Sequence, residues 1–382
     1  MRRVNPETCS ILFLCTDAFG AGGGVAKFNR DLCRALSAEP LSARTMVLPR
    51  VAPSESVENI PDRVDYHAGA AGSKLRYTWK VLRLAFGGSG SELDGIICGH
   101  MNLLPMAVLV SQIRRLPLLV ILHGVDAWTL HLPAAAKPTL HAIDQFVAVS
   151  QYTKNRFLEW APLTDEQGYV IPNCIDTSRY GPGPKRKDLL DRYDLENRTV
   201  LLTLGRLSSG EQYKGHDEVL EVLPKLADEI SDLSYLICGD GDDRSRLEAK
   251  ARRLGVEHRV VFAGYVAEEE KADHYRLADA FVMPGRGEGF GIVYLEAMAC
   301  GVPVIASSAD ASREAVQGGN LGTVVDPDDL EDIKEGILRA LDESHGVPDG
   351  LDYFSVDRFQ ERWHRVVDDC FQRGVAVANA PS

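Results

Sequence analysis

The sequence predicts an α/β protein built from two doubly wound parallel sheets, and three observations carry that expectation. Short apolar runs of strand length alternate along the chain with amphipathic segments of helix length, the pattern of parallel strands covered on both faces. The 382 residues are enough for two packed domains. One composition break, the turn YGPGPKRK at 180–187, is rich first in Gly and Pro and then in charge, and it divides the alternation in two.

In the first half the strand candidates are 10–16 (SILFLCT), 95–100 (GIICGH), 117–124 (PLLVILHG), 145–150 (QFVAVS) and 168–173 (GYVIPN). In the second they are 198–205 (RTVLLTLG), 233–240 (LSYLICGD), 259–264 (RVVFAG), 280–284 (AFVMP) and 302–307 (VPVIAS). Amphipathic stretches such as EVLEVLPKLADEI and DDRSRLEAKARRL lie between them. With the hinge near 173–186, the first domain is expected over 1–173 and the second over 174–354. A last helix in 355–382, carrying aromatics at 354, 359, 363 and 371, could cross back to the first domain. In such folds a ligand sits where the carboxyl ends of the strands face each other across a cleft.

Composition narrows the function. A formal charge of -13 disfavours a general nucleic-acid binder, which needs a basic face. No run of about eighteen apolar residues would span a bilayer. The N-terminus runs straight into the first strand candidate without a small-residue cleavage site, so no secretory signal is expected. The eight cysteines lack metal-ligand spacing and several sit in apolar runs, which suits a reducing cytoplasm.

The stretch PGRGEGFGIVYLEAMACGVPVIAS (284–307) carries two glutamates, Glu288 and Glu296. Helical indexing places Ile292, Val293, Leu295, Ala299 and Cys300 on one apolar stripe, with Glu296 in its middle. A buried carboxylate is costly unless it is bonded. Backbone amides or an arginine would satisfy it; so would a pair of ligand hydroxyls, which needs no counter-charge. Glycines at 285, 287, 289 and 291 open the helix start to an anion, so a diphosphate is expected near Gly289, Phe290 and Gly291. Arg206 and Lys214, in GRLSSGEQYKGHD, are either solvated surface charges or a clamp on a leaving diphosphate.

Asp240 and Asp242 in CGDGDDR have the Asp-x-Asp spacing of some metal-dependent sites. Their place at a helix start instead makes Asp242 or Asp243 an expected N-terminal cap, and no metal site is assigned. Gly22, Gly23 and Gly24 form a flexible loop ahead of a helix, without the dinucleotide fingerprint. His123 and Asp126 end the strand LLVILHGVDAW, and a histidine there is either structural or a ligand contact. In SKLRYTWKVLRLAF (73–86), Leu75, Trp79, Leu82 and Phe86 share a stripe beside Arg76, Lys80 and Arg83. Such a helix either packs into the core with basic flanks or lies on an anionic membrane.

Taken in order, GGGVAKFNRDL, HGVDAW, IPNCID, GRLSSGEQYKGHD, CGDGDDRSRLE and EGFGIVYLEAMACGVPVIAS resemble the retaining family-4 glycosyltransferases with the GT-B fold, over nearly the whole chain. That resemblance implies two Rossmann-like domains facing each other across a cleft, closing over the donor. It implies transfer of a hexose from a UDP- or GDP-linked sugar to an acceptor hydroxyl. It further implies attack on the face the diphosphate leaves, with the departing phosphate taking the acceptor's proton.

The resemblance gives Glu288 and His123 to the donor sugar, with Asp126 of the same segment beside His123, Glu296 to the ribose, and Arg206 and Lys214 to the diphosphate. The glycines at 22–24 go to the diphosphate or acceptor, and backbone near Val266 to the base. It implies no cofactor and no metal, an acceptor that is a sugar, a small molecule or a lipid-linked intermediate, and work at the inner face of the membrane. One departure is Gly285, where relatives often carry serine. A sugar-nucleotide epimerase of the same architecture and a non-catalytic nucleotide-sugar binder are the rival readings; the first needs acid–base carboxylates that the sequence does not place, and the intact Glu288, Glu296, Arg206 and Lys214 set argues against the second.

Overall fold

A computed structural model describes residues 9–20, 22–51, 59–87, 93–129 and 134–373. The chain divides into two compact units: one comprises the residues up to Cys174 together with those from Val356 onward, and the other is Ile175–Ser355.

The first unit is a seven-stranded sheet: β1 (Ser10–Cys15), β2 (Arg44–Pro49), β3 (Val64–Tyr66), β4 (Gly95–Cys98), β5 (Leu118–Leu122), β6 (Gln145–Ala148) and β7 (Gly168–Val170). They lie in the order β3-β2-β1-β4-β5-β6-β7, all neighbours parallel. Of these, β2 and β3 were not legible. RTMVLP mixes polar and apolar residues and ends in proline, and VDY is too short to show a period. The central strands are buried along their length because helices cover both faces: Leu12 and Leu14 join the core of one face with Tyr77, Val81 and Ala107.

The second unit is a six-stranded sheet: β8 (Thr199–Leu204), β9 (Leu233–Cys238), β10 (Val260–Gly264), β11 (Ala280–Val282), β12 (Val304–Ser307) and β13 (Thr323–Val325). Its order is β10-β9-β8-β11-β12-β13, again parallel. The missed strand here is the three-residue edge β13.

Each order reverses once, between β1 and β4 in the first unit and between β8 and β11 in the second. Loops leaving adjacent strands there turn opposite ways and open a crevice, where ligands bind in such sheets. Those loops are the ones carrying Gly22–Gly24 and His100 in one unit, and Arg206, Lys214 and Glu288 in the other.

The C-terminal helix Val356–Val367 returns to the first unit. Phe359 and Trp363 are fully buried and set their edges against Phe28 of the helix Gly24–Ser37, with ring centroids 5.5 and 6.2 Å away. Phe371 fills the space beside Gly95, where a Cβ would lie 2.4 Å from its ring. Phe354, two residues before the helix, stays in the second unit against Phe290. The four aromatics are thus divided between the units. Replacing Trp363 by alanine removes a fully buried indole and is expected to cost about 3–5 kcal/mol. Calorimetry checks this as a lowered unfolding midpoint.

Candidate active site

In the second unit, the helix Ile292–Ala299 is apolar nearly all round, and Glu296 within it is 0% exposed. Its Oε2 accepts a 2.8 Å hydrogen bond from the Tyr275 hydroxyl and lies 3.8 Å from the Lys271 ammonium. Burial, then the Glu296 charge, pushes the hydroxyls of Tyr180 and Tyr275 up, so both remain donors at neutral pH. Oε1 meets no hydrogen-bond partner among the described residues. Among the described residues, neither a guanidinium nor a backbone amide bonds this carboxylate. Its Oε1 stays buried, with the Tyr180 hydroxyl near enough to feel the carboxylate's charge.

Glu288 lies in the loop leaving β11. Its backbone is clamped from behind: Asp310 Oδ2 accepts from the Glu288 amide at 2.8 Å, and the Glu288 carbonyl accepts from the Ala311 amide at 3.1 Å. Asp310 is itself fully buried and held by the Ser312 amide and hydroxyl, and burial pushes its carboxyl up to about 6. Nothing in the sequence marked Asp310; only the approach of the loop after β12 reveals it.

The Glu288 side chain accepts from Lys214 Nζ at 3.3 Å. Lys214 also lies 3.7 Å from Glu211, whose other oxygen pairs with Arg206. Burial pulls the Lys214 ammonium down, but Glu288 and Glu211 outweigh it and hold it above its ordinary value. Lys214 is therefore a mostly covered cation in a four-membered chain, whereas Arg206 is 78% exposed on its side chain and reaches in only through Glu211. Glu211 was missed because a glutamate in a polar loop carries no signal of its own.

The glycines have packing reasons too. Gly291 adopts φ 85°, and a Cβ there would lie 2.5 Å from the Tyr294 ring. At Gly285, the departure from the family pattern, a Cβ would sit 2.8 Å from the Tyr213 carbonyl, which accepts from the Arg286 amide instead. Arg286 points elsewhere, to Glu218 and Asp328. Phe290 is buried against Phe354, Gly289 stands between it and Glu288, and Val266 is buried two residues past β10.

The expected acidic cap is corrected. Asp243 stands at the start of the helix Arg244–Arg253 but bonds no backbone amide of it; its carboxylate holds Gln212 and Arg246. Asp242 holds the Ser209 amide and hydroxyl. Both aspartates brace the loop that carries Arg206 and Lys214. No cluster of three metal-ligating side chains occurs among the described residues.

In the first unit, the helix Gly24–Ser37 starts at the third glycine, with Gly23 at φ 107°. A Cβ at 22, 23 or 24 would meet nothing within 4 Å, so packing does not demand the glycines. His123 closes β5. Its Nε2 lies 2.9 Å from the Gly99 carbonyl, which can only accept, so the ring proton is on Nε2 and Nδ1 keeps its lone pair. Burial, helped by His100, pulls this ring down to about 3, so His123 is neutral. Asp126, three residues on, is pushed up from 3.8 to about 7 by burial.

The stripe of the helix Lys74–Phe86 faces outward, which corrects the core-packed reading. Leu75 is 85% exposed, Trp79 61% and Phe86 70%, while Tyr77, Val81 and Ala85 form the buried side. Arg83 lies over the Trp79 ring at 5.5 Å. No helix among the described residues is long and apolar enough to cross a membrane.

Two family models match the chain, Glycosyltransferase Family 4 over 22–179 and Glycosyl transferases group 1 over 186–349. A phosphatidyl-myo-inositol mannosyltransferase of Mycolicibacterium smegmatis is 30% identical over 366 residues, covering 92% of this chain and 88% of that protein. A GDP-mannose-dependent alpha-(1-6)-phosphatidylinositol monomannoside mannosyltransferase of the same species is 36% identical over 249 residues, 61% of this chain. The match spans 64% of that relative's length. Among solved structures, Anabaena HepE in complex with UDP and glucose superposes with a TM-score of 0.72 at 23% identity, over 94% of this chain and 99% of that one. Sucrose-phosphate synthase from Thermosynechococcus elongatus gives 0.72 at 19% identity, over 95% and 99%. The two parallel sheets are those of the GT-B fold.

The raised acid at 126 has a stability consequence. Its folded pKa near 7 lies above its ordinary 3.8, so the folded chain holds a proton that the unfolded chain has lost. Its contribution is intact below about pH 4 and disappears as pH climbs to 7. Asp126→Asn imitates the protonated form. The variant's melting temperature is expected to exceed wild type increasingly from pH 4 to pH 8 in a thermal-unfolding series.

Proposed function

The chain belongs to the family-4 glycosyltransferases, and from that membership we propose that it transfers a mannosyl group from GDP-mannose to a hydroxyl of a phosphatidylinositol-type lipid, with retained anomeric configuration. The names of the two mycobacterial relatives supply the donor and the acceptor class. One observation carries the donor site: the buried Glu296, whose Oε1 lacks a hydrogen-bond partner among the described residues. In this reading it accepts from a ribose hydroxyl. The diphosphate lies by the backbone of Gly289, Phe290 and Gly291, the base lies near Val266, and Gly22–Gly24 approach the diphosphate or acceptor.

Glu288 takes hydroxyls of the sugar, and His123 offers its bare Nδ1 to another. The leaving diphosphate gains charge as its bond to the anomeric carbon breaks. Arg206 and Lys214 exchange Glu211 for it, and Lys214 stays linked to Glu288. Charge-assisted hydrogen bonds of about 1.5–3 kcal/mol each make this a metal-independent clamp. The acceptor hydroxyl attacks on the leaving face and passes its proton to the departing phosphate. With His123 neutral, the protein's work is positioning and charge stabilisation.

The outward face of the helix Lys74–Phe86 fits a lipid acceptor. Leu75, Trp79 and Phe86 enter the interface of a membrane, and Lys74, Arg76, Lys80 and Arg83 meet anionic headgroups, at about 1 kcal/mol per basic residue. The protein then works as a peripheral protein on the inner face of the cell membrane.

GDP and GDP-mannose are expected to raise the melting temperature of the wild type more than UDP, ADP and TDP compounds do, and Glu296→Ala is expected to lose most of that shift. An equal response to all bases, or an unaffected variant, contradicts the donor site. Changing Arg76, Lys80 and Arg83 to glutamate is expected to reduce flotation with phosphatidylinositol-containing vesicles at least tenfold. Unchanged flotation contradicts the membrane face.

A further inference from the structure

A second histidine stands beside the family's own, at the head of β4's exit loop, and the sequence did not single it out. His100 is tied from one side: its Nδ1 accepts from the Asn102 amide at 3.1 Å. Burial pulls its pKa down, so at neutral pH the ring carries one proton, and the Asn102 bond fixes that proton on Nε2. Nε2 looks across at Asp126 Oδ2.

The two atoms are 3.9 Å apart. That is too far for a hydrogen bond of 2.7–3.2 Å, and with a neutral ring it is no ion pair. Asp126 Oδ2 has no partner among the described residues. His123 does not supply one, since its Nε2 is spent on the Gly99 carbonyl. A donor N–H and an acceptor oxygen thus face each other across a gap with neither satisfied by the other. Asp126 Oδ2 is itself buried, while the two side chains as wholes keep 17% and 18% exposure.

A hydroxyl has the complementary chemistry, because one oxygen both accepts and donates. We propose that His100 and Asp126 form a hydroxyl-binding subsite, in which a sugar or polyol hydroxyl accepts from His100 Nε2–H and donates to Asp126 Oδ2. His123 Nδ1, on a ring whose centroid is 6.4 Å from that of His100, takes a neighbouring hydroxyl. The subsite lies on the loops leaving β4 and β5, at the switch-point end of the first sheet. It rests on the glycosyl-transfer reading and adds to it two side chains that read the polyol. The hydroxyl belongs either to the donor mannose or to the acceptor inositol; the chemistry is shared.

The test uses the full chain with GDP-mannose as donor and phosphatidylinositol vesicles as acceptor, in wild type, His100→Phe and Asp126→Asn. Loss of one hydrogen bond to a charged or polarised partner corresponds to roughly ten- to hundredfold. The expected result is a loss of that size in kcat/KM in both variants, with the thermal shift by GDP alone unchanged. A rise in the KM of GDP-mannose assigns the hydroxyl to the donor, and a rise in that of phosphatidylinositol assigns it to the acceptor.

Should His100→Phe fail to fold, His100→Asn takes its place, with an amide donor retained, and is expected to recover part of the activity. Variants that transfer mannose within twofold of wild type at unchanged KM overturn the subsite alone, as does an equal loss of the GDP shift. A wild type that transfers no mannose overturns the transfer reading and the subsite with it.

Discussion

A carboxylate buried in an apolar helix sets the terms for the second unit. Removing a charge from water is costly, and the cost is met only where each oxygen finds a donor. At Glu296 the Tyr275 hydroxyl and the Lys271 ammonium meet one oxygen, and the other has no hydrogen-bond partner among the described residues. A leucine would pack here without that demand. Stability alone does not explain that oxygen, and in the proposed function a ribose hydroxyl is its donor. The rest of the donor proposal is arranged around it: Glu288 at the mouth of the same helix, clamped by Asp310, and the cations held ready by Glu211.

The same economy recurs in the first unit with neutral groups. His123 and His100 are both pulled down by burial, and each is fixed in one tautomer by a backbone partner, the Gly99 carbonyl for one and the Asn102 amide for the other. Fixed tautomers make each ring a directed donor or acceptor. A polyol is read by such directions, since every hydroxyl must both give and take.

The fold was legible wherever strands were long and apolar, from SILFLC to VPVIAS, because a parallel sheet buried on both faces writes continuous hydrophobic runs. The edge strands Val64–Tyr66 and Thr323–Val325 were not, since each is only three residues long, and Arg44–Pro49 was not, since RTMVLP mixes polar and apolar residues and ends in proline. The burial of Glu296 followed from helical periodicity. The partners did not: Glu211, Lys271, Asp310 and His100 are ordinary polar residues in loops or short helices, and only the crossing of loops from different strands brings them to the site. Periodicity also gave the stripe Leu75–Phe86 but not its direction. An amphipathic pattern says which residues share a face, and the covering of Tyr77, Val81 and Ala85 by the rest of the unit decides which face is outside.

The most direct measurement on the central claim is calorimetric binding of GDP against 2′,3′-dideoxy-GDP, on wild type and on Glu296→Gln. The account predicts that removing the two ribose hydroxyls weakens binding to the wild type by roughly ten- to hundredfold and changes the variant's affinity little. Equal affinity of the wild type for the two nucleotides, or the same loss in both proteins, would contradict it.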